Sequence, residues 1–290
     1  MNTTNKKTIS VIIPAKNEGI PLKKLLPRIK QLDEITEIIV VDDGSSDDTR
    51  EIGLAAGANV ISHPYSMGNG AAIKTGTRSA QGELLLFMDA DGQHNPDDIP
   101  RLIRKLDEGY DMTVGARQKG SQASRGRGFA NWLYNHLSSW MTNHKIDDLT
   151  SGFRIVRAKK FREFLHLLPN GFSYPTTSTM AFFRAGYAVA YVPIHAAQRT
   201  GKSHIKPFRD GVRFLLIIFR IGTLYSPLKL FLPISLFHFF LGTGYYLYTF
   251  ITAGRFTNMS ALLFSTSIII FLIGLVSEQI TGLLFRDSNK

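Results

Sequence analysis

The first 115 residues alternate between short apolar runs and longer stretches whose apolar positions recur every three to four residues. Five runs rich in aliphatic residues predict strands at 9–13, 37–41, 59–62, 84–88 and 112–114. The stretches between them have helical spacing and plausible caps, at 21–32, 47–56, 71–80 and 97–107. This alternation predicts an α/β fold, with a mostly parallel sheet and helices on both faces.

Two apolar stretches near the end of the chain are long enough to cross a bilayer. Residues 228–250 contain Lys229 as their only charged residue, and residues 260–277 contain none. About 20 residues, each rising about 1.5 Å, span the hydrocarbon core. We therefore predict two transmembrane helices, at about 228–251 and 259–284, and prefer them to a buried hairpin in a soluble core.

Lysine and arginine near the predicted spans indicate how they are oriented. The polar N-terminus has no secretory apolar region, so the first domain and the tail are expected on the same side. The connecting loop carries only Arg255, whereas basic residues are frequent from 199 to 229 and Arg286 and Lys290 lie in the tail. These charges predict a multi-pass protein of the inner cell membrane with its large domain in the cytoplasm.

The predicted organisation has four parts along the chain. Between the large domain and the spans, Arg209, Arg213 and Arg220 form one basic stripe on an otherwise apolar helix, which suits an interface with anionic headgroups. The parts are a cytoplasmic domain at 1–205, this amphipathic helix at 206–227, two spans within 228–285, and a cytoplasmic tail at 286–290.

Charge is divided unevenly along the chain. The whole sequence has 34 Lys and Arg against 23 Asp and Glu, a net charge of +11, and no cysteine, which excludes a disulfide scaffold and a thiolate metal site. Residues 1–115 hold 13 basic and 17 acidic residues, and residues 116–290 hold 21 and 6. We interpret the basic half as facing lipid phosphate and membrane, with no nucleic acid as partner.

Acidic and polar residues follow three predicted strands at their carboxyl ends, where such sheets bind ligands. Asp89 and Asp91 emerge from a buried strand, and hard oxygen ligands of this kind suit Mg²⁺ or Mn²⁺ on a diphosphate. Gln93 adds a neutral oxygen. Neither a GxGxxG turn after the first strand nor a GxxxxGK[ST] loop is present, which argues against dinucleotide and P-loop sites.

Five motifs occur in a characteristic order: VIIPAKNE, VVDDGSSDDT, MGNGAAIKTG, MDADGQHNP and DLTSGFR. Over residues 8–225 the chain resembles family 2 glycosyltransferases of the GT-A fold, a Rossmann-like architecture. It looks most like the dolichol-phosphate mannose synthase and polyprenyl-phosphate glycosyltransferase group. The resemblance implies inverting transfer of a sugar from a GDP- or UDP-sugar to a polyprenyl phosphate. A QxxRW motif is missing, which argues against chain polymerisation.

The resemblance also implies roles for particular residues. The donor nucleotide pocket would be formed by Pro14, Ala15, Asn17, Glu18, Asp42, Asp43, Lys74, Asp89 and Ala90. A Mg²⁺ or Mn²⁺ ion would be held by Asp89, Asp91 and Gln93. The catalytic residues would be Asp91, Asp148 and Arg117.

Basic residues beyond the metal motif predict a site for the acceptor phosphate, because guanidinium groups match phosphate geometry. The predicted ligands are Arg117, Arg125, Arg127, Arg154, Arg199 and Lys202. Asp148 would act as a base for a hydroxyl acceptor, but would only position groups for a lipid phosphate, which is already mostly dianionic at neutral pH. Two alternatives stay open: a glycolipid synthase acting on a hydroxyl, and a noncatalytic adaptor that binds anionic lipid. The sequence also leaves the sugar open and allows a homo-oligomer.

Both tryptophans, Trp132 and Trp140, lie in one predicted helix at 129–141. Trp140 shares a face with Phe129, Leu133 and Leu137 at helical spacing. This pattern favours core packing over an aromatic anchor at a membrane interface.

Overall fold

The structure, a computed structural model, describes residues 7–118, 125–171, 173–196, 222–223 and 225–286. The chain divides into two compact units, residues 1–203 and 204–290. The first unit contains the sheet and the polar motifs, and the second contains two long apolar helices.

A seven-stranded sheet forms the centre of the first unit, with the strands in the order β3-β2-β1-β4-β6-β5-β7. Strand β6 runs antiparallel to both neighbours, and the other neighbouring pairs are parallel. The strands are Ile9–Ala15 (β1), Glu37–Asp42 (β2), Asn59–Ser62 (β3), Leu84–Phe87 (β4), Met112–Arg117 (β5), Arg154–Arg157 (β6) and Val189–Ile194 (β7).

Helices follow most of the strands, as the alternating pattern predicts. A short 3-10 helix, Pro96–Asp98, leads into α4. The helices of this unit are Gly19–Lys30 (α1), Thr49–Ala55 (α2), Asn69–Ser79 (α3), Ile99–Asp107 (α4), Arg125–Thr142 (α5), Ala158–Arg162 (α6) and Tyr174–Arg184 (α7). The predicted α/β fold is confirmed, and the first five strands and four helices begin and end within three residues of their predicted limits.

The position of β1 explains where a ligand can bind. All four residues of β4 are buried, which suits a strand covered on both faces by helices. Strand β1 lies between β2 and β4. After β1 the chain adds β2 and β3 on one side of it, and then returns to add β4 on the other side. Open α/β sheets bind ligands at such a switch point, outside the carboxyl ends of the strands.

Helix α5 presents a different face to the core from the one predicted. Tyr134, Ser138 and Met141 are buried, whereas Trp132 is 56% exposed and Trp140 is 45% exposed. The prediction that the tryptophans pack in the core is wrong. Helix α5 has apolar residues on two faces. The face that packs inward is the one formed by Tyr134, Ser138 and Met141, with the small Ser138 at its centre.

The second unit contains α8 (Pro227–Ala253) and α9 (Asn258–Arg286). By length and composition alone, residues 227–253 and 258–283 are each sufficient to cross a membrane. Helix α8 ends at Gly254, which has a left-handed φ of 62° that glycine adopts without strain. This pair of helices, together with the family comparison below, indicates membrane association.

Small residues bring α8 and α9 together. The Ser235 hydroxyl donates to the Ser267 carbonyl oxygen at 2.9 Å, and the Ser267 hydroxyl donates to the Ser235 carbonyl oxygen at 2.9 Å. A Cβ at Gly274 would lie 2.8 Å from Phe231 Cβ, whereas one at Gly244 would meet nothing within 4 Å. Close approach through small residues and polar contacts is typical of helix pairs in membranes.

Candidate active site

A cavity of about 430 Å³ opens at the carboxyl ends of β1, β2 and β4. Its walls come from the segments after these strands and from the beginning of α3. The lining residues are Pro14, Ala15, Lys16, Glu18, Asp43, Ser66, Gly68, Asn69, Ala72, Asp89, Ala90 and Asp91. Six of the nine predicted nucleotide residues are therefore in this wall, although nucleotide binding itself stays a prediction.

Asp43 organises the wall of the cavity between β2 and α3. Its carboxylate accepts hydrogen bonds from His63 Nδ1 at 2.8 Å, the Ser66 hydroxyl at 2.8 Å, and the backbone N–H groups of Met67 and Gly68 at 2.7 and 2.9 Å. Burial raises the pKa of Asp43, but these four donors outweigh it, so the pKa lies below its usual range. An ionised Asp43 thus holds the loop that precedes α3 against the end of β2.

Three of the predicted nucleotide residues are not among the described residues that line this cavity. Asn17, with a left-handed φ of 54°, accepts a hydrogen bond from the Ser46 backbone N–H at 2.8 Å. Asp42 accepts from the Ser45 backbone N–H at 3.0 Å, as in a turn. Each side chain thus fixes the loop after β2. Direct contact of either residue with a nucleotide stays a prediction.

Lys74 is the third predicted nucleotide residue that is not among the described residues lining the cavity. Its ammonium group binds a loop that lies much later in the sequence. Its Nζ donates to the Leu168 carbonyl oxygen at 3.1 Å and to the Asn170 side chain. Burial and the charge of Arg78 lower its pKa. Nucleotide binding by Lys74 therefore stays a prediction, and in this structure its ammonium group is engaged by the 168–170 segment.

Asp89 and Asp91 lie in the wall of the cavity at the end of β4. Asp91 accepts a hydrogen bond from the Gln93 backbone N–H at 3.1 Å, which orients one carboxylate. The other carboxylate packs on a glycine, since a Cβ at Gly152 would lie 2.6 Å from Asp89 Oδ2. The described residues contain no group of three His, Cys, Asp or Glu that could hold a metal. Two carboxylates nonetheless fit Mg²⁺ or Mn²⁺, because such ions take their other ligands from water and substrate phosphate.

Arg117, at the end of β5, forms a bidentate ion pair with Asp148. Its Nε lies 2.7 Å from Asp148 Oδ2 and its Nη2 lies 3.0 Å from Oδ1. The same Nη2 donates to the Thr150 hydroxyl at 2.6 Å.

The ion pair also shifts the pKa values of both partners. Burial raises the pKa of Asp148, but the hydrogen bonds and charge of Arg117 outweigh burial, so the pKa is lowered. Burial lowers the pKa of Arg117, and Asp148 reverses this to a net rise. Both groups are therefore held in their charged forms.

Comparison with known proteins agrees with this arrangement. The family described as glycosyl transferase family 2 matches residues 10–165, more than half of the chain. This chain belongs to glycosyl transferase family 2. The family described as the GtrB C-terminal hairpin matches residues 226–283, which contain α8 and most of α9. The resemblance inferred from the motifs is confirmed.

Two curated relatives of this family 2 chain are similar over part of its length. An uncharacterized protein of Methanocaldococcus jannaschii is 33% identical over 162 residues, covering 53% of this chain and 66% of the relative. The undecaprenyl-phosphate 4-deoxy-4-formamido-L-arabinose transferase of Salmonella choleraesuis is 32% identical over 203 residues, covering 67% of this chain and 61% of the relative. The matched part is thus less than two thirds of either relative's length.

A solved structure has the same fold. Glucosyl-3-phosphoglycerate synthase from Mycobacterium tuberculosis, in complex with phosphoglyceric acid, superposes with a TM-score of 0.60 at 25% identity. The match covers 74% of this chain and 79% of that chain. Another structure of that synthase, 24% identical with a TM-score of 0.60, contains Mn²⁺ and uridine-diphosphate-glucose.

Arg154 of this family 2 domain is not available to an acceptor phosphate. Its side chain is fully buried, and Nη1 donates to the Pro175 carbonyl oxygen and the Ser178 hydroxyl, both at 2.9 Å. Another bond reaches the Thr179 hydroxyl at 3.0 Å. The prediction that Arg154 binds phosphate is corrected, because this guanidinium joins β6 to α7 and has no exposed surface.

Among the other predicted acceptor ligands, Arg117 is paired with Asp148, and its contact with an acceptor phosphate stays a prediction. The other four fall at or beyond the margins of the described residues. Helix α5 begins at Arg125 and includes Arg127, but their side chains lie outside the described part. Arg199 and Lys202 also lie outside it, as does most of the predicted amphipathic helix at 206–227. Their roles stay predictions.

The structure adds residues to which the sequence reasoning assigned no role. His94 is buried and stacks on Phe153, with ring centroids 5.1 Å apart. Burial lowers its pKa to about 4 despite the nearby carboxylate of Asp91, so the ring is neutral at physiological pH. Ser66 and Asn69 line the cavity, and Gly152 packs on Asp89. The motifs MDADGQHNP and DLTSGFR contain two of these residues, but only the fold shows what they touch.

Proposed function

We propose that this protein transfers a sugar, with inversion, from a nucleotide-sugar donor to a polyprenyl phosphate such as undecaprenyl or dolichyl phosphate. The observation that carries the proposal is the pair of carboxylates, Asp89 and Asp91, in the wall of a cavity at the switch point of a family 2 sheet. The relative from Salmonella, an undecaprenyl-phosphate transferase by name, supports the class of acceptor. A noncatalytic lipid-binding adaptor has no need of such a cavity.

The donor nucleotide would occupy the cavity between the segments after β1 and β2 and the beginning of α3. Asp43 would shape this pocket through the loop that includes Ser66 and Gly68. Whether the nucleotide is GDP or UDP depends on contacts with the base.

Asp89 and Asp91 would hold a divalent metal ion, Mg²⁺ or Mn²⁺, with Gln93 as a further ligand. When bound, such an ion neutralises the charge that develops on the departing nucleoside diphosphate. Gly152, which has no Cβ, would leave room for the Asp89 carboxylate, and the Gln93 backbone N–H would orient that of Asp91. Arg117, whose pKa these two carboxylates help to raise, would place its positive charge beside the same diphosphate.

The acceptor phosphate would attack the anomeric carbon of the donor sugar. A bond forms between that carbon and a phosphate oxygen, and the bond to the diphosphate oxygen breaks with its electron pair leaving on the nucleoside diphosphate. A phosphomonoester is already mostly dianionic at neutral pH, so no proton has to be removed. A hydroxyl acceptor would need a base, and Asp148 suits that role poorly because both of its oxygens bind Arg117 and its pKa is lowered.

The hairpin supports a place for this reaction at the cytoplasmic face of the inner membrane, with α8 and α9 as two spans. Lys229 and Arg286 lie at the ends expected in the cytoplasm, whereas the connection between the helices has only Arg255. Polyprenyl phosphates reside in the membrane, so an anchored domain would meet its acceptor there.

The proposal is tested with the full-length protein in detergent or vesicles, a divalent metal, and a panel of radiolabelled GDP- and UDP-sugars. We expect label in undecaprenyl phosphate or dolichyl phosphate, released by mild acid. Transfer to diacylglycerol or ceramide but not to either lipid phosphate would instead identify a glycolipid synthase. Binding of anionic vesicles without transfer from any donor would identify an adaptor.

A further inference from the structure

His63 joins three elements beside the cavity at the carboxyl ends of the strands. It directly follows β3, and its backbone N–H donates to the Asp42 carbonyl oxygen at 2.8 Å. Its Nδ1 lies 2.8 Å from Oδ1 of Asp43, the residue directly after β2. Its Nε2 lies 3.0 Å from the Thr75 hydroxyl of α3. One imidazole ring therefore bridges the end of β2 and α3.

The partners of the His63 ring determine which nitrogen donates. The Asp43 carboxylate is ionised, since its pKa lies below the usual range. An ionised carboxylate only accepts hydrogen bonds, so Nδ1 is the donor. In a neutral imidazole the other nitrogen is an acceptor, and Nε2 then accepts a hydrogen bond from the Thr75 hydroxyl. Each ring nitrogen has its own partner, which fixes the orientation of the ring.

His63 lies behind the cavity wall. The side chains of His63 and Asp43 are each 7% exposed, and His63 is not among the described residues that line the cavity. Loss of its Nδ1–H would leave a buried carboxylate short of one donor, and an unmade bond to a buried charge is costly. The contribution of His63 is therefore made through the residues that it holds.

Two parts of the cavity wall depend on these bonds. The Asp43 carboxylate also accepts hydrogen bonds from the Ser66 hydroxyl and the Gly68 backbone N–H, and both of these residues line the cavity. Thr75 lies about one helical turn after Ala72, an α3 residue that also lines it. The imidazole ring thus sets how the loop before α3, and α3 itself, lie against the end of β2.

We infer that His63 is a positioning residue for the donor nucleotide, which holds the Asp43 carboxylate and α3 in place without touching the nucleotide itself. This inference rests on the nucleotide pocket given under Proposed function. The cavity wall would contact the nucleotide in the ground state and in the transition state alike. Loss of the His63 bonds should therefore raise the donor KM and leave kcat unchanged.

The test compares two substitutions whose side chains have the same heavy-atom shape. His63→Leu and His63→Asn both remove the ring, but the asparagine amide keeps a nitrogen at the δ position that can donate to Asp43. Binding of UDP and of GDP to the full-length protein in detergent is measured by calorimetry with Mn²⁺ present. For the nucleotide that binds, we expect His63→Leu to raise the Kd about 10-fold and His63→Asn to restore most of the affinity. The donor KM should follow the Kd.

A second pair of variants tests the contact with α3. Thr75→Val removes the hydroxyl that is bonded to Nε2. Thr77→Val removes a hydroxyl of the same helix that has no hydrogen-bond partner among the described residues. Threonine and valine have nearly the same shape, so we expect weaker nucleotide binding in Thr75→Val and not in Thr77→Val. This pair also decides the question if circular dichroism shows that His63→Leu does not fold.

The possible outcomes separate this inference from the nucleotide pocket on which it rests. Equal affinity in His63→Leu and the unmodified protein would overturn the inference. Equally weak binding by His63→Leu and His63→Asn would overturn it too, because the effect would then come from ring volume. A fall in kcat at constant donor KM, or coincident Kd values for Thr75→Val and Thr77→Val, would also contradict it. If the unmodified protein binds neither UDP nor GDP, the nucleotide pocket itself is wrong.

Discussion

Arg117 and Asp148 are joined by two parallel hydrogen bonds, Nε to Oδ2 at 2.7 Å and Nη2 to Oδ1 at 3.0 Å, although they are 31 residues apart in the chain. The Arg117 backbone N–H also donates to Oδ2 at 3.2 Å. Bidentate pairing fixes a guanidinium in direction as well as in position. Asp148 is thus placed to orient Arg117. Because both of its oxygens bind this guanidinium, the carboxylate is better suited to positioning than to proton transfer.

We predict that Asp148→Asn lowers sugar transfer while the domain remains folded. The amide keeps the shape but loses the charge, and a hydrogen bond to a charged group contributes about 1.5–3 kcal/mol, so kcat should fall roughly 10- to 100-fold. The neighbouring Asp147→Asn is the matched control, because Asp147 is 42% exposed and pairs with the exposed Lys145 at 3.0 Å. Equal kcat values for Asp148→Asn, Asp147→Asn and the unmodified protein would contradict the positioning role.

The same pair predicts a dependence of stability on pH. Because the folded-state pKa of Asp148 is lowered, its contribution is fully present above the unfolded value of about 3.9 and is lost as the pH falls through the folded value. The difference in unfolding temperature between the unmodified protein and Asp148→Asn should be constant from about pH 5 to 7 and shrink below about pH 4. Calorimetry of both proteins across this range tests it, and a difference that persists undiminished at the acid end would contradict it.

Much of the fold could be predicted because local patterns decide it. Strand β4 is a run of four apolar residues, and helices α1 and α4 repeat apolar positions at helical spacing. Strand β6 escaped prediction because its four residues, RIVR, begin and end with arginine. Its pairing with β4 and β5 is antiparallel and joins distant segments, which no local pattern encodes.

The candidate site was predictable in its residue types and less so in their contacts. Asp89 and Asp91 follow a buried strand, so their place at the sheet edge could be deduced. The burial of Arg154 depends on hydroxyl groups of α7, and the use of Lys74 depends on Leu168 and Asn170. From the sequence alone, a lysine or arginine is equally consistent with binding a ligand and with forming a structural hydrogen bond, because its partners in the fold are not known.

Replacing the Asp91 carboxylate should lower transfer strongly. We expect Asp91→Asn to lower kcat by roughly 10²-fold or more, since a bound metal ion supplies several kcal/mol of charge stabilisation. Glu51→Gln is the control, because Glu51 is an exposed carboxylate on α2. Transfer is measured over a Mn²⁺ or Mg²⁺ titration, with circular dichroism to verify folding. An Asp91→Asn enzyme as active as Glu51→Gln would refute the metal assignment and leave the adaptor alternative standing.

Gly152 should control the metal through Asp89. A methyl group at Gly152 would lie 2.6 Å from Asp89 Oδ2, so Gly152→Ala must displace that carboxylate. Residues that orient a metal ligand typically contribute 10- to 100-fold in metal affinity or activity, so we expect the Mn²⁺ concentration for half-maximal activity to rise by about that factor. Gly171→Ala is the matched control, because a Cβ there would meet nothing within 4 Å. The same Mn²⁺ requirement in both variants would show that Asp89 does not depend on this contact.

The helix pair of the second unit offers a test that is independent of catalysis. Valine at position 274 would force its Cβ to within 2.8 Å of Phe231 Cβ, whereas valine at position 244 would enter open space. Both glycines lie inside helices, so the change in helix propensity is matched and only the packing differs. Overpacking typically costs 1–3 kcal/mol, and we expect Gly274→Val to unfold at lower SDS than Gly244→Val when helix content of the full chain is followed by circular dichroism. Coincident SDS midpoints for the two variants would mean that α8 and α9 do not pack through Gly274. A lower midpoint for Gly274→Val would support a hairpin held together by close contacts between its helices.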